Sequence, residues 1–103
     1  MMKAKIIMDE VEKCEAALKI AREIKSQATQ WSRVGRKACY ISNMINGRYQ
    51  MVKSYSTLVA LVDISENEFY EFGKFSPTTS RQMTQVYNTY YPNFKRYFYR
   101  EEI

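Results

Sequence analysis

The segment Thr57-Leu-Val-Ala-Leu-Val-Asp63 decides how this chain is expected to fold. A continuous apolar run of this kind, bounded by polar residues, is typical of a β-strand that is buried on both faces. Such a strand needs neighbouring strands at its edges and further layers above and below it. We therefore expect it to lie at the centre of a sheet on which the helices pack.

Three segments around this strand are expected to supply its neighbours. Residues 68–72 alternate weakly between polar and apolar, and should pair with it after a turn. Before it, residues 37–42 and 48–54 are β-prone and are separated by Asn46-Gly47, a strong hairpin signal. An alternative is a second helix over this region, with Gly47 as its cap and one apolar face formed by Val34, Ala38, Ile41 and Ile45.

Residues 3–30 have the pattern of one long amphipathic helix. Its apolar stripe follows the spacing expected of a helix face and comprises Ile7, Val11, Cys14, Leu18, Ala21 and Ala28. Two interpretations remain open for this stripe, namely packing on the protein's own sheet or a homodimer seam through residues 7–28.

A second helix is predicted over residues 77–91. Ser76 is a suitable N-cap, Pro77 suits the first helical position, and Pro92 ends the helix. The prediction is thus an α+β fold with a long N-terminal helix, a small antiparallel sheet over about 37–72, and a second helix over about 77–91 packed on it. At 103 residues the chain is expected to be a single domain, with residues 1–30 as the helix and 31–103 as the α+β body. Residues 31–36 are interpreted as a connector, and residues 94–100 as an edge strand or an aromatic-basic tail.

The composition excludes several classes of enzyme. The absence of histidine excludes Ser-His-Asp and Cys-His nucleophiles, and three widely spaced glycines cannot form a phosphate-binding loop. Two cysteines are too few for a disulfide framework or a four-cysteine zinc site. The acidic turn formed by Asp63, Glu66, Glu68 and Glu71 has no ordered metal-binding spacing, so a solvated turn is the favoured interpretation. We predict no enzymatic activity, no metal and no cofactor.

Residues 24–62 contain no acidic side chain, whereas acids lie on both sides of them. A basic stretch with interleaved aromatic residues predicts a surface that binds an anionic partner. Arginine and lysine would supply charge while tryptophan and tyrosine act as anchors. The predicted partner-binding residues are Trp31, Arg33, Arg36, Lys37, Tyr40, Arg48, Tyr49 and Lys53.

The start of the second helix offers a possible anion site. Free N–H groups and a partial positive charge at a helix N-terminus suit an anion or a phosphate. The residues that could form this site are Thr78, Thr79, Ser80 and Arg81. Simple capping of the helix is the competing interpretation.

Four short motifs resemble those of a family of small uncharacterised proteins from bacteriophages of Gram-positive hosts. They are Trp31 through Ile41, Tyr55 through Asp63, the Phe-Gly-Lys-Phe-Ser step over 72–76, and Thr-Thr-Ser-Arg-Gln over 78–82. The resemblance implies a non-enzymatic protein that binds and inhibits or modulates a host nucleic-acid-handling complex, for example as an anti-CRISPR protein.

The expected partner is therefore a host protein or ribonucleoprotein complex. Direct binding of DNA or RNA by a dimer is the alternative. No signal peptide and no membrane span is predicted, so the expected location is the bacterial host cytoplasm.

Overall fold

The computed structural model describes residues 2–35, 38–73 and 76–98, with side chains from Glu10 onward in the first range. The elements, in chain order, are helix α1 (Met2–Ile24), a 3-10 turn (Lys25–Gln27), strands β1 (Trp31–Arg33), β2 (Cys39–Ser42), β3 (Tyr49–Ser54), β4 (Thr57–Asp63) and β5 (Glu68–Glu71), helix α2 (Pro77–Tyr90) and strand β6 (Lys95–Tyr97). None of the helices in these ranges is long and apolar enough to cross a membrane.

The six strands form one sheet in the order β1-β2-β3-β4-β5-β6. Pairing is antiparallel from β1 to β5, whereas β6 runs parallel to β5 because α2 returns the chain to the same end of the sheet. The α+β fold class is therefore confirmed. The sheet is larger than the predicted span of 37–72, since it begins at Trp31 and ends at Tyr97.

Strand β4 has the bounds predicted from the sequence and pairs with β3 and β5. Its residues from Val59 to Asp63 are buried, as expected for a strand that is covered on both faces. The register between β3 and β4 shifts at one point, where Val52 is opposite Ala60 and Lys53 is opposite Leu58. Val59 is the extra residue of this bulge.

The segment between β2 and β3 is a hairpin, so the alternative of a second helix there is wrong. Asn46 and Gly47 both have positive φ angles, 54° and 64°, as a primed hairpin turn requires. Ile45 and Tyr49 form a bridge across the turn, and the Arg48 N–H donates to the Ile45 carbonyl at 3.0 Å.

Residues 31–33 form an edge strand, which corrects the interpretation of residues 31–36 as a connector. Trp31, Ser32 and Arg33 are opposite Ser42, Ile41 and Tyr40 of β2. Three residues are too few for a recognisable alternation, so pairing with β2 rather than a local pattern determines this strand. Gly35 then reverses the chain with a φ angle of 77°, a conformation that favours glycine.

Helix α1 ends at Ile24, earlier than the predicted end at residue 30. The chain leaves the helix through the 3-10 turn, and the backbone N–H groups of Thr29 and Gln30 donate to Oδ1 of Asn43 at 3.0 and 3.1 Å. Hydrogen bonds to the Asn43 side chain, on the β2–β3 connection, therefore replace those that these N–H groups would make in a continued helix.

The two helices cover opposite faces of the sheet. Ala17 and Ala21 of α1 share a buried cluster with residues of one face, including Met51, Leu61 and Phe72. The other face packs on α2 in a cluster that includes Val52, Ala60, Val62, Phe69, Met83 and Val86. Adjacent positions in a strand thus point to different helices, except at the bulge in β4, where Val59 and Ala60 both belong to the α2 cluster. The prediction that the second helix packs on the sheet is confirmed.

Candidate partner-binding surface

Four of the predicted partner-binding residues meet on the sheet face that also carries α1. Arg33 is directly opposite Tyr40 on β2, and Tyr40 is directly opposite Lys53 on β3. Trp31 lies two residues before Arg33 in β1, and therefore points to the same face. We call Trp31, Arg33, Tyr40 and Lys53 the basic-aromatic row.

The lysine of this row lies between two rings. The ammonium nitrogen of Lys53 is 4.2 Å from the centroid of the Trp31 ring and 5.3 Å from that of Tyr40. Both distances are within the range in which a cation is attracted to an aromatic face. These contacts hold Lys53 and the two rings together, so charge and flat apolar surface are presented at one place.

The helix on this face lies mainly over the other half of the sheet. Helix α1 packs on β4, β5 and β6, whereas the row lies on β1, β2 and β3. Arg33 is exposed, and Trp31, Tyr40 and Lys53 are half-buried. Trp31 also packs against the cluster beneath α1, together with Leu58. The row is therefore accessible to a partner, and the packing of Trp31 holds it in position on the sheet.

Tyr55 is a further candidate that sequence reasoning did not select. It forms the turn between β3 and β4, two residues from Lys53, with a φ angle of 56° and an exposed fraction of 60%. Its N–H donates to the Ala38 carbonyl at 2.6 Å. A tyrosine in this region of φ is strained, and glycine is favoured at such a position. Strained residues occur most often at functional sites. The only signal in the sequence is that Tyr55 lies within the acid-free stretch.

Arg48 and Tyr49 lie apart from the row. Tyr49 is at the opposite end of β3 from Lys53, roughly 13 Å away along the strand at about 3.3 Å per residue, and Arg48 directly precedes the strand. The Arg48 guanidinium donates to both carboxylate oxygens of Asp63, with a shortest distance of 2.8 Å, and is 5.0 Å from the Tyr49 ring centroid. Arg36 and Lys37, also predicted to bind the partner, lie outside the described residues.

Asp63 is an integral part of the turn that follows β4. Burial opposes the ionisation of its carboxyl group, but hydrogen bonds from Arg48 and from Ser65 outweigh that effect, and its pKa is lowered. The hydrogen bond to Asp63 in turn raises the pKa of Arg48. This ion pair therefore stabilises the turn, and a binding partner could contact only the exposed side of the Arg48 side chain.

Three of the four acidic residues considered for a cation are engaged by other groups, and the fourth, Glu66, is exposed. Asp63 binds Arg48, Glu68 accepts hydrogen bonds from Tyr70 and Tyr97, and Glu71 forms an ion pair with Arg96. Asp63 and Glu68 are opposite one another, whereas Glu71 lies three residues further along β5 and points to the other face. Within the described ranges no group of three or more His, Cys, Asp and Glu residues could hold a metal ion.

At the proposed anion site, capping involves part of the predicted set. The Thr79 N–H donates to Oγ of Ser76, the N-cap of α2, at 3.3 Å. The Thr79 hydroxyl also lies 3.4 Å from that of Ser54. Thr78 and Arg81 line a cleft beside β1 and β2, and Ser80 lines a neighbouring, more open depression.

Part of the stripe proposed as a dimer seam is used within the protein. Cys14 and Ala21 are fully buried, and Leu18 and Ala28 pack on the cluster beneath α1. The side chain of Ile7 lies outside the described residues. Packing on the protein's own sheet therefore accounts for the described part of the stripe from Cys14 onward, and dimerisation through residues 7–28 stays a prediction.

The fold and this surface together define a small α+β domain with a basic-aromatic sheet face. The chain belongs to a family of unknown function, DUF8033, whose model matches residues 23–103, or 81 of the 103 residues. The match begins at the end of α1 and includes the whole sheet and α2. No curated protein and no solved structure matches the chain.

Proposed function

We propose that this protein is a non-enzymatic binding protein whose basic-aromatic row contacts an anionic partner surface. The observation that carries the proposal is the alignment of Arg33, Tyr40 and Lys53 on three adjacent strands, with the Lys53 ammonium 4.2 Å from the Trp31 ring centroid. Tryptophan, tyrosine and arginine contribute most of the binding energy at many protein interfaces. A positive field also attracts an acidic partner.

The partner that we propose is a host protein or ribonucleoprotein complex that handles nucleic acid, such as a CRISPR effector, in the host cytoplasm. This choice comes from the resemblance to small phage proteins, which often act on host machinery and usually do so by binding. Inhibition or modulation of that complex is the expected effect. The strained and exposed Tyr55 supports a protein partner, because a large rigid side chain at a turn can act as an anchor.

Direct binding of single-stranded nucleic acid is the second candidate. The observation that favours it is the alternation of charge and rings across β1, β2 and β3, since arginine and lysine neutralise phosphates while aromatic rings stack on bases. Both candidate functions use the basic-aromatic row, so variants of the row cannot distinguish them. The experiment must therefore identify whether the bound partner is a protein complex or nucleic acid.

The test is a pull-down from host lysate with the full chain as bait, with and without nuclease. A charge-reversed variant, Arg33→Glu with Lys53→Glu, is compared with a control that changes two exposed cations of α1, Lys19→Glu with Arg22→Glu. We expect a defined protein complex to survive nuclease treatment and the control, and its recovery to fall at least tenfold with the first variant. Thermal unfolding confirms that both variants fold.

Two results would change the assignment. Equal recovery with both variants would exclude the basic-aromatic row as the binding surface. Recovery of nuclease-sensitive material alone would favour direct nucleic-acid binding. That case is checked by titrating a single-stranded oligonucleotide with salt, where phosphate contacts give a steep, log-linear loss of affinity, while a protein interface loses mainly its association rate.

A further inference from the structure

A cleft lies on the opposite face of the sheet from the basic-aromatic row. It has a volume of about 360 Å³ and lies between α2 and the residues Val34, Gly35 and Cys39. Its apolar lining includes Val34, Cys39 and Val86, while Arg81, Gln82 and Gln85 supply polar groups. This volume and mixture are typical of a small-molecule site, in which a few polar groups orient a largely apolar ligand.

One polar atom in the wall of the cleft, Nε2 of Gln82, has no hydrogen-bond partner in the described part of the chain. Gln82 is 8% exposed, and its Oε1 accepts a hydrogen bond from the Ser54 hydroxyl at 2.7 Å. Its Nε2 is buried and makes no hydrogen bond within the described part of the chain. Buried amide donors are nearly always satisfied, because leaving one unpaired is costly. An acceptor atom on a ligand in the cleft would satisfy it.

The charge around the cleft favours an anion. Its described lining comes from Val34, Gly35 and Cys39 and from α2, and these residues lie within two segments, 24–62 and 72–100, that contain no aspartate or glutamate. Arg81 brings a positive charge into the wall, and Thr78 lies in the first turn of α2. The N-terminal end of a helix adds a partial positive charge.

We infer that this cleft binds a small organic anion with an apolar body. The phosphate or carboxylate group is held by Arg81 and Thr78 and accepts a hydrogen bond from Nε2 of Gln82. The apolar body lies against Val34 and Val86. This site is independent of the proposed function, because it faces α2 while the basic-aromatic row lies on the face of α1.

The inference is tested by NMR titration of the full chain with phenyl phosphate, inorganic phosphate and benzyl alcohol. Phenyl phosphate combines the two recognised parts, and each of the other probes carries one of them. We expect saturable shifts at Gly35, Cys39 and the Gln82 side-chain amide. The dissociation constant for phenyl phosphate should be at least tenfold lower than for either other probe, because anion and apolar body are then recognised together.

Variants assign the binding to the cleft. Arg81→Gln should weaken phenyl phosphate binding tenfold or more, since it removes a charge-assisted hydrogen bond, whereas Arg22→Gln on α1 removes the same charge elsewhere and should have no effect. Gln82→Met tests the amide donor while keeping a side chain of similar length. If this variant does not fold, the Arg81→Gln result and the shift of the Gln82 amide still decide the matter.

Several outcomes would overturn the inference. If inorganic phosphate binds as tightly as phenyl phosphate, the N-terminal end of α2 attracts anions and the cleft does not recognise an apolar body. Equal affinity for benzyl alcohol would mean that the cleft is apolar without anion recognition. Absence of saturable shifts with phenyl phosphate, or shifts confined to Trp31 and its neighbours, would exclude a site in this cleft.

Discussion

Replacing Glu68 with glutamine tests how strand β6 is attached to the sheet. The hydroxyl groups of Tyr70 and Tyr97 each donate to one carboxylate oxygen of Glu68 at 2.6 Å. The two rings are stacked, with centroids 4.9 Å apart and planes 10° from parallel. Because Glu68 and Tyr70 are on β5 and Tyr97 is on β6, this carboxylate joins the two strands.

The expected cost follows from the hydrogen bonds that glutamine cannot make. Its single side-chain oxygen can accept from one tyrosine, while its NH2 group faces the hydroxyl of the other. A hydrogen bond to a charged group contributes about 1.5–3 kcal/mol. Glu68 is only half-buried, so we expect the free energy of unfolding to fall by an amount in the lower part of this range, about 2 kcal/mol. This corresponds to a decrease in Tm of roughly 10 °C.

The assay is thermal and urea unfolding of the Glu68→Gln variant at pH 7. The matched control is Glu66→Gln, which removes the same charge from an exposed position in the adjoining turn and should change stability by less than about 0.5 kcal/mol. If the two variants unfold at the same temperature, the network does not hold β6, and the reasoning is refuted.

The same network sets how stability changes at high pH. Burial and the hydrogen bond to Glu68 raise the pKa of Tyr97 to about 12, and burial, followed by the contact with Glu68, raises the pKa of Tyr70. In the unfolded chain a tyrosine ionises near pH 10. The stabilisation is therefore fully present below about pH 10 and is lost as pH rises towards the folded-state values. The decline should be smaller in Glu68→Gln, because burial alone then raises the pKa.

Three other substitutions make separate predictions. Ser76→Ala removes the side-chain acceptor of the Thr79 N–H, and should lower the free energy of unfolding by about 1 kcal/mol in urea titrations; an unchanged midpoint would contradict the capping role. The pKa of Asp63 is lowered in the folded protein, so its ionised carboxylate stabilises the fold at pH values above the unfolded-state pKa near 3.9. This stabilisation is lost as the pH falls through the folded-state pKa. Asp63→Asn should therefore be less stable than wild type at pH 7, and the difference should shrink as the pH falls below about 3.9; a difference that stays constant with pH would argue against this origin. Tyr55→Gly relieves a positive φ that costs about 1–2 kcal/mol but adds the backbone entropy of glycine. Thermal unfolding should show equal or slightly higher stability while partner recovery in the pull-down falls, and a decrease in Tm of more than about 5 °C would mean that Tyr55 contributes to packing.

Some residues of the candidate surface could be found from the sequence, but their grouping could not. The acid-free stretch indicated Arg33, Tyr40 and Lys53, and strand pairing brings these three side by side. Nothing local distinguished them from Arg48, which the fold places against the carboxylate of Asp63. The difference depends on the register of paired strands, which the spacing of residues along a chain does not specify.

The sequence by itself determined strand β4, the Asn46-Gly47 hairpin and the capped start of α2, because each depends on a local property: continuous hydrophobicity, permitted φ angles, or a side-chain acceptor next to free N–H groups. Tertiary structure alone decided the edge strands β1 and β6 and the earlier end of α1. Edge strands of three residues have too little local preference to form alone, so hydrogen bonds to distant segments define them. Tertiary structure also decided the cleft, since its lining brings α2 together with Val34, Gly35 and Cys39. In its wall, Nε2 of Gln82 makes no hydrogen bond within the described part of the chain.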